Sequence, residues 1–232
     1  MVLAAGLGTR MRPLTNDRSK ALVEVGGRAL IDHVLDRLAE AGVETAVVNV
    51  HHFADRLTDH LVHRRAPGII ISDERGLLLE TGGGLKKART LLGEDPVLVA
   101  NIDSVWTERS TPAVAALARA FDPERMDVCM LLAPLDQAMG YDGAGDAFLD
   151  DGVLRFRGAA ASAPYAYTGL HITKPQVVDG GPEGPFSLME PWRPLAERGR
   201  LGGVLLDGLW MHVGDPQARE AAEARLRELE AA

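Results

Sequence analysis

The chain has 232 residues, enough for one large domain or two small ones around a true core. Its 46 % apolar and 25 % charged residues exclude a disordered segment. A formal charge of −8 excludes an extended basic face for nucleic acid, although a small phosphate needs only a positive pocket.

The single cysteine, Cys129, excludes an internal disulfide framework, and its context "MDVCMLL" marks a buried strand. No window approaches the ~18 apolar residues of a membrane span, and the first residues lack the basic lead-in of a signal peptide. A cytoplasmic location is expected, with no membrane or nucleic-acid partner, as a monomer or small homo-oligomer. Only four of the 25 basic residues are lysines (Lys20, Lys86, Lys87 and Lys174), so each one draws notice.

In chain order, "MVLAA" (1–5) predicts a short strand that stops at Gly6, and "ALVEV" (21–25) a brief extended piece before Gly26 and Gly27. From Ala29 to Ala41, Leu30, Ile31, Val34, Leu35 and Leu38 recur at helical spacing, and Gly42 ends that helix. A strand at 45–50, a helix at 53–64 and a strand at 68–72 follow. Next come a helix at 83–92 behind a glycine run, and a strand at 96–103 that ends in an acid. A helix at 111–121 and a strand at 127–133 complete the alternation, which predicts an α/β fold with a doubly wound, mainly parallel sheet. After Ala133 the rhythm changes to a hairpin at 146–156, a strand at 165–173 and a Pro/Gly-rich stretch at 174–186. A short helix at 189–198, a strand pair around 203–213 and a last helix from Pro216 close the chain. Neither a repeat nor a low-complexity linker divides it, so a single domain over 1–232 is expected. Its second half should form a small β-rich insertion on the same sheet.

Open parallel sheets bind ligands beyond the carboxyl ends of their strands. Three unusual segments leave predicted strands at that edge: "GLGTRMRP", "LLLETGGG" and "NID". In the first, Gly6 and Gly8 allow a tight turn that presents N–H groups to phosphate oxygens. A dinucleotide fingerprint needs a third glycine where Met11 stands, and Pro13 blocks an immediate helix. The Gly-Lys-Ser/Thr of a P-loop is absent. Arg10 follows the turn closely, and its planar fork suits a polyphosphate.

The string "LAAGLGTRMRPLT" resembles the opening motif of the sugar-phosphate nucleotidyltransferases. Further pieces follow in that family's order: "SKALVEVGGRALIDHVLDRLAEAGV" (19–43), "NID" (101–103) and "LWMHVGDP" (209–216). The resemblance covers nearly the whole chain and is weakest over 133–165. It implies a Rossmann-like nucleotidyltransferase fold, with residues 1–133 binding nucleotide and 134–232 binding sugar phosphate. It also implies transfer of a nucleotidyl group from an NTP to a sugar 1-phosphate with release of pyrophosphate, aided by Mg²⁺ or Mn²⁺. By motif match, Leu3, Ala4, Ala5, Gly6, Gly8, Thr9 and Arg10 hold the triphosphate, with Arg10 on the reacting or leaving phosphates. Lys20 bridges the two phosphates, and Asp103 binds the metal.

Several positions depart from the family. Lys20 is flanked by Ser19 and Ala21 where prolines are usual, Ile102 replaces a small glycine, and His212 stands where a second metal-binding aspartate is expected. Imidazole suits softer ions than Mg²⁺, so Asp207 and Asp215 are weighed as substitutes and a solvated or core role for His212 stays open. In "LLLETGGG", Thr81 is expected as a helix N-cap, while Glu80, Gly82 and Gly83 flank the nucleobase. Glu80 with the glycine triplet resembles the branch that transfers UMP from UTP to N-acetylmuramate 1-phosphate. Guanylyl or thymidylyl transfer to mannose- or glucose-type phosphates, and a catalytically impaired sugar-nucleotide sensor, stay open beside it. On the acceptor side, Asp146 in "GAGDAF" and Thr168 and Gly169 in "YTGLHI" are expected to touch the sugar. Lys86 and Lys87 read as a solvated helix face. His51, His52, His60 and His63 have no companion at zinc spacing and read as packing or solvation.

Overall fold

The protein's structure, a computed structural model, describes residues 1–231. The first half of the chain contributes β1 (Val2–Leu3), β2 (Glu24–Val25), β3 (Arg28–Ala29), α1 (Leu30–Glu40), β4 (Thr45–Val50), α2 (Ala54–Leu61) and β5 (Gly68–Asp73). It continues with α3 (Glu80–Lys87), α4 (Arg89–Leu92), β6 (Val97–Asn101), β7 (Ser104–Trp106), α5 (Ala113–Ala120) and β8 (Val128–Pro134). Then come β9 (Ala138–Met139), β10 (Ala147–Asp150), β11 (Val153–Phe156), β12 (Tyr165–Thr173), α6 (Met189–Glu197), β13 (Leu201–Leu205), β14 (Trp210–His212) and α7 (Pro216–Glu230).

Nine strands form one sheet in the order β5-β4-β1-β6-β12-β8-β13-β11-β10. The pairs β5–β4, β4–β1, β1–β6 and β8–β13 are parallel, while β12 and β11 run against their neighbours. The hairpin β10–β11 also reaches back to β12 through Ala147 and Tyr165, so the second half is built onto the same sheet. Alternation along β8 shows that both faces are covered. Cys129, Leu131 and Ala133 enter the core that holds α1 and α5, and Val128, Met130 and Leu132 enter the core that holds α3 and α6. The periodic α1 residues Leu30, Ile31, Val34, Leu35 and Leu38 are all buried, each contributing about 1.5–3 kcal/mol by leaving water. No helix among the described residues is long and apolar enough to cross a membrane.

Four expectations change. The segment 203–213 is not a strand pair: β13 joins the main sheet beside β8, and β14 crosses to a small sheet between β7 and β9. The helix expected from 83 starts at Glu80 and takes in all three glycines. "ALVEV" divides into a 3₁₀ turn at Lys20–Leu22 and the two-residue β2. The opening strand is confined to Val2–Leu3, because Ala4 turns its N–H to the Asn49 side chain rather than to a neighbouring strand.

Asp127 ties three strand ends together at the edge opposite the strand exits. Its carboxylate accepts from Arg200, just before β13, and from Lys174, just after β12. Arg200 above all, with Lys174, outweighs burial and lowers its pKa from the ordinary 3.8 to about 2. A depressed carboxyl stabilises the fold above the unfolded value, and this contribution is lost as pH falls through about 2. Asp127→Asn is expected to cost about 1–2 kcal/mol at pH 7 and about 2–6 °C in melting midpoint. The gap from wild type should narrow steadily below pH 4 in thermal melts. A gap that persists at pH 2 would contradict the ion-pair account.

Candidate active site

The strand exits converge on a cleft of about 450 Å³ whose wall includes Leu3, Ala4, Ala5, Gly6, Gly8, Thr9 and Arg10. The loop after β1 is pinned at both ends. Met11, at the position where a dinucleotide fingerprint needs glycine, is wholly buried and anchors a 3₁₀ turn at Thr9–Met11. Gly8 adopts φ +62°, and its carbonyl accepts from the Met11 N–H and the Thr15 hydroxyl. A side chain there would be strained and would press on Lys20 Cβ and Thr15 at 3.0 Å. At Gly6 the opposite holds: no protein atom lies within 4 Å of where a Cβ would stand, so that residue faces the open cleft. Arg10 is exposed on the same wall and pairs with no acid among the described residues, whereas Arg12 lies outside the cleft lining.

Across from this turn, Lys20 Nζ donates to Asp103 Oδ2 at 2.8 Å. The lysine is nearly buried. Its 3₁₀ turn is capped by Ser19, whose hydroxyl accepts from the Ala21 N–H, so a hydrogen bond replaces the stiffness that flanking prolines supply. Asp103 sits on the turn from β6 to β7. The pairing of β7 with β14 sets His212 opposite Ser104 and brings its Nε2 within 3.6 Å of Asp103 Oδ2. Burial pushes the Asp103 pKa up, but the His212 imidazole and the Lys20 ammonium outweigh it and hold the carboxyl far below its usual range. His212 Nδ1 lies 3.2 Å from the Gly140 carbonyl. A carbonyl only accepts, so Nδ1 carries a proton and Nε2 is the nitrogen left to face the carboxylate. Asp207 and Asp215 are no substitutes here: Asp207 binds Ser110 and the Thr111 N–H, and Asp215 caps α7 through the Ala218 N–H.

The far wall of the cleft rests on a buried polar relay that sequence reasoning missed. The Ala4 N–H donates to Asn49 Oδ1 at 2.6 Å, and Asn49 Nδ2 donates to Glu74 Oε1 at 2.8 Å. Glu74 is fully buried, and its other oxygen accepts from the Leu79 N–H. Burial raises the Glu74 pKa, opposed by the Asn49 bond. Asn49 is the penultimate residue of β4 and Glu74 directly follows β5 between Asp73 and Arg75, so neither carries a local signal. Leu78, Asn101 and Ser187 also line the cleft, with Ile102 and Asp103 between the exits.

The glycine triplet packs into this wall. A Cβ on Gly82 would strike the Phe186 ring, one on Gly83 the Gly184 carbonyl, and one on Gly84 Glu74 and Asn49. The Gly82 and Gly83 N–H groups both point at the Phe186 carbonyl, so neither residue reaches the cleft. Thr81 is not an N-cap either; Leu79 holds that position, and the Thr81 hydroxyl accepts from the Leu188 N–H. Glu80 and Thr81 do line the cleft, and Glu80 stands there at φ +59°, a conformation that costs a non-glycine residue about 1–3 kcal/mol.

Of the residues expected on the acceptor side, Asp146 is half-buried, accepting from the Tyr141 hydroxyl and the Tyr167 N–H. Thr168 is turned inward, its hydroxyl donating to the Leu131 carbonyl, and lies outside every cavity wall described. Gly169 has φ +87° at the irregularity in β12, where a Cβ would meet the Asn101 side chain at 2.9 Å. Both residues shape the strand at this irregularity. Lys86 and Lys87 are likewise engaged, Lys86 on the Gly181 carbonyl and Glu183, Lys87 on the Asp73 carbonyl. His51 contacts the Glu74 carbonyl and His60 pairs with Asp32. Cys129 is buried in β8, and burial pushes its thiol up to about 11.

A family profile described as a MobA-like NTP transferase domain matches residues 1–141. The chain is 62 % identical to the N-acetylmuramate alpha-1-phosphate uridylyltransferase of Caulobacter vibrioides, over 98 % of this chain and 96 % of that protein. The chain belongs to the sugar-phosphate nucleotidyltransferases, within the MobA-like NTP transferase family. A protein of the same description from Neisseria meningitidis is 33 % identical over 97 % of this chain and 96 % of its own length. The solved structure of a UDP-glucose pyrophosphorylase complexed with UDP-glucose superposes with a TM-score of 0.79, covering 98 % of this chain and 97 % of that one. At 16 % identity, that likeness shows the Rossmann-like fold alone.

The relay gives the nearest test of this site. Asn49→Leu strips partners from the Ala4 N–H and from buried Glu74, an expected loss of about 1–3 kcal/mol in stability. KM for the nucleotide should rise more than kcat falls, because the relay sets the wall and not the reacting groups. Denaturant melts and initial rates measure both, and an unchanged melt would show the relay to be idle.

Proposed function

We propose that this cytoplasmic enzyme transfers UMP from UTP to N-acetylmuramate α-1-phosphate, releasing pyrophosphate and forming a UDP-sugar for cell-wall recycling. In this reading one domain spans the chain, with residues 1–133 holding nucleotide and 134–232 the sugar phosphate, and neither nucleic acid nor membrane takes part. The observation that carries the reading is the Lys20–Asp103–His212 array facing the unpaired Arg10 across the Gly6–Gly8 turn. The 62 % identity to the Caulobacter uridylyltransferase supports the choice of acceptor.

An oxygen of the sugar phosphate bonds to the α-phosphorus of UTP, and the bond from that phosphorus to the bridging β-oxygen breaks. The electron pair leaves on pyrophosphate. The attacking phosphate is already ionised, so no general base is needed, and positioning with charge neutralisation supplies the rate. Arg10 is placed to take oxygens of the departing pyrophosphate. Lys20, held by Asp103, offers its remaining N–H bonds to the α-phosphate and the incoming phosphate, bringing two anions together.

The donor set fits a divalent ion that completes its shell from phosphate. His212 Nε2 and Asp103 Oδ2 stand 3.6 Å apart, and the carboxylate is already drawn to the Lys20 ammonium, so this corner of the cleft favours positive charge. No group of three or more His, Cys, Asp or Glu side chains converges among the described residues, so the remaining ligands must come from substrate and water. Asp103 and His212 are the residues to hold it. When bound, Mg²⁺ or Mn²⁺ supplies positive charge to the phosphate oxygens, and the imidazole favours Mn²⁺.

Pyrophosphate release across four NTPs and several sugar 1-phosphates, with Mg²⁺ and then Mn²⁺, tests the assignment. UTP with N-acetylmuramate 1-phosphate should dominate; dominance by GTP with mannose 1-phosphate, or by dTTP with glucose 1-phosphate, would replace it. Nucleotide binding without turnover would instead make the chain a sensor. In the same assay Asp103→Asn should lower kcat at least about a hundredfold, while His212→Ala retains measurable turnover. Equal, mild losses in the two variants would remove the metal assignment.

A further inference from the structure

The β7–β14 ladder sets the backbone of His212 opposite Ser104, but the direction of its ring is decided on the other side of β14. There β9 pairs with β14 through Ala138–Trp210 and Met139–Met211. Directly after β9 the chain turns at Gly140, φ +72°, and its carbonyl meets His212 Nδ1 at 3.2 Å. Glycine is required in this turn, because a Cβ would stand 2.5 Å from the His212 carbonyl oxygen. The Trp210 ring flanks the imidazole with centroids 5.7 Å apart, and the Tyr141 ring flanks Trp210 at 5.8 Å.

Tyr141, next to Gly140, is tied down in turn. Its hydroxyl donates to Asp146 Oδ1 at 2.9 Å, and burial together with that acid pushes its pKa up to about 12, so it stays a donor. Asp146 Oδ2 accepts from the Tyr167 N–H at 2.9 Å, and the Asp146 N–H donates to the Tyr165 carbonyl at 2.7 Å. Asp146 is thereby bolted to β12 of the main sheet. It also lies on the wall of a neighbouring cavity of about 730 Å³ between β11 and α6, whose Met189 comes two residues after Ser187 of the cleft wall. Its place on that wall suits a ligand for the acceptor. Both of its oxygens are nevertheless engaged within the protein, one by the turn beside His212 and one by the sheet.

We infer that Asp146 and Tyr141 are positioning residues for His212. The path Asp146–Tyr141–Gly140 runs from the main sheet to the imidazole and aims Nε2 at the Asp103 carboxylate. A histidine whose second nitrogen is held by a carbonyl is fixed in tautomer and orientation, and here that carbonyl is itself anchored. The inference rests on the reading that Asp103 and His212 hold a divalent ion together.

The test uses the full-length enzyme with the NTP and sugar 1-phosphate that the wild type prefers. Tyr141→Phe and Asp146→Ala should each lower kcat about threefold to tenfold while KM for the acceptor stays unchanged. Mn²⁺ affinity of the enzyme–UTP complex, read by water-proton relaxation and needing no turnover, should weaken in both. The double variant should lose no more than the worse single one, because the two residues share one path. Asp146→Asn, which keeps an oxygen for the Tyr141 hydroxyl, should lie closer to wild type than Asp146→Ala. Tyr141→Phe keeps the ring on Trp210, so it carries the test if Asp146→Ala melts early. A raised acceptor KM at constant kcat in the Asp146 variants, with Tyr141→Phe silent, would make Asp146 a sugar ligand and overturn the inference. His212→Ala separates the two readings. If it leaves kcat and Mn²⁺ affinity at wild-type values, the metal reading falls and takes the inference with it; if it weakens both while Tyr141→Phe weakens neither, the inference alone fails.

Discussion

Asp103 holds a negative charge between an ammonium and an imidazole, only partly open to water, and most of the surrounding structure maintains that contact. A carboxylate in such a place is costly unless its partners are fixed. Lys20 is fixed from below by the Ser19 cap and from above by Gly8, whose missing side chain lets the loop lie against the lysine stem. His212 is fixed by the β7–β14 ladder and by the Gly140 carbonyl. Without the ladder the histidine and the acid, far apart in sequence, have no reason to meet.

The rest of the cleft is held by buried hydrogen bonds instead of ion pairs. Asn49 links the first loop to Glu74, and Glu74 links onward to the approach of α3, so three strand exits share one network. Such networks are stable only when every member is satisfied. The crowded Gly84 leaves just enough room for this one.

Much of this was legible in the sequence, because the alternating strands and helices, the amphipathic α1 and the "GLGTRMRP" turn each carry a local signal. Arg10, Lys20 and Asp103 could be singled out, and the structure brings Lys20 and Asp103 into contact with Arg10 on the facing wall. What stayed hidden depends on long-range contact. Gly82 and Gly83 look the same in sequence whether they admit a base or, as here, the Phe186 segment. Thr168 shows a polar atom but not its direction, and the Leu131 carbonyl claims it. Asn49 and Glu74 gave no warning, since a buried polar pair between apolar strands has no motif. The break between β13 and β14 escaped notice because partners in different sheets leave no trace in local pattern.

The Gly184–Met189 strap borders two cavities. Phe186 packs on the glycines of α3, Ser187 borders the cleft at the strand exits and Met189 borders the neighbouring cavity. Six consecutive residues of extended chain and turn form a common partition, like one plank shared by two rooms. Room gained on one side is taken from the other, so the two cavities cannot drift independently in shape; a lineage that recarves one has to refit both.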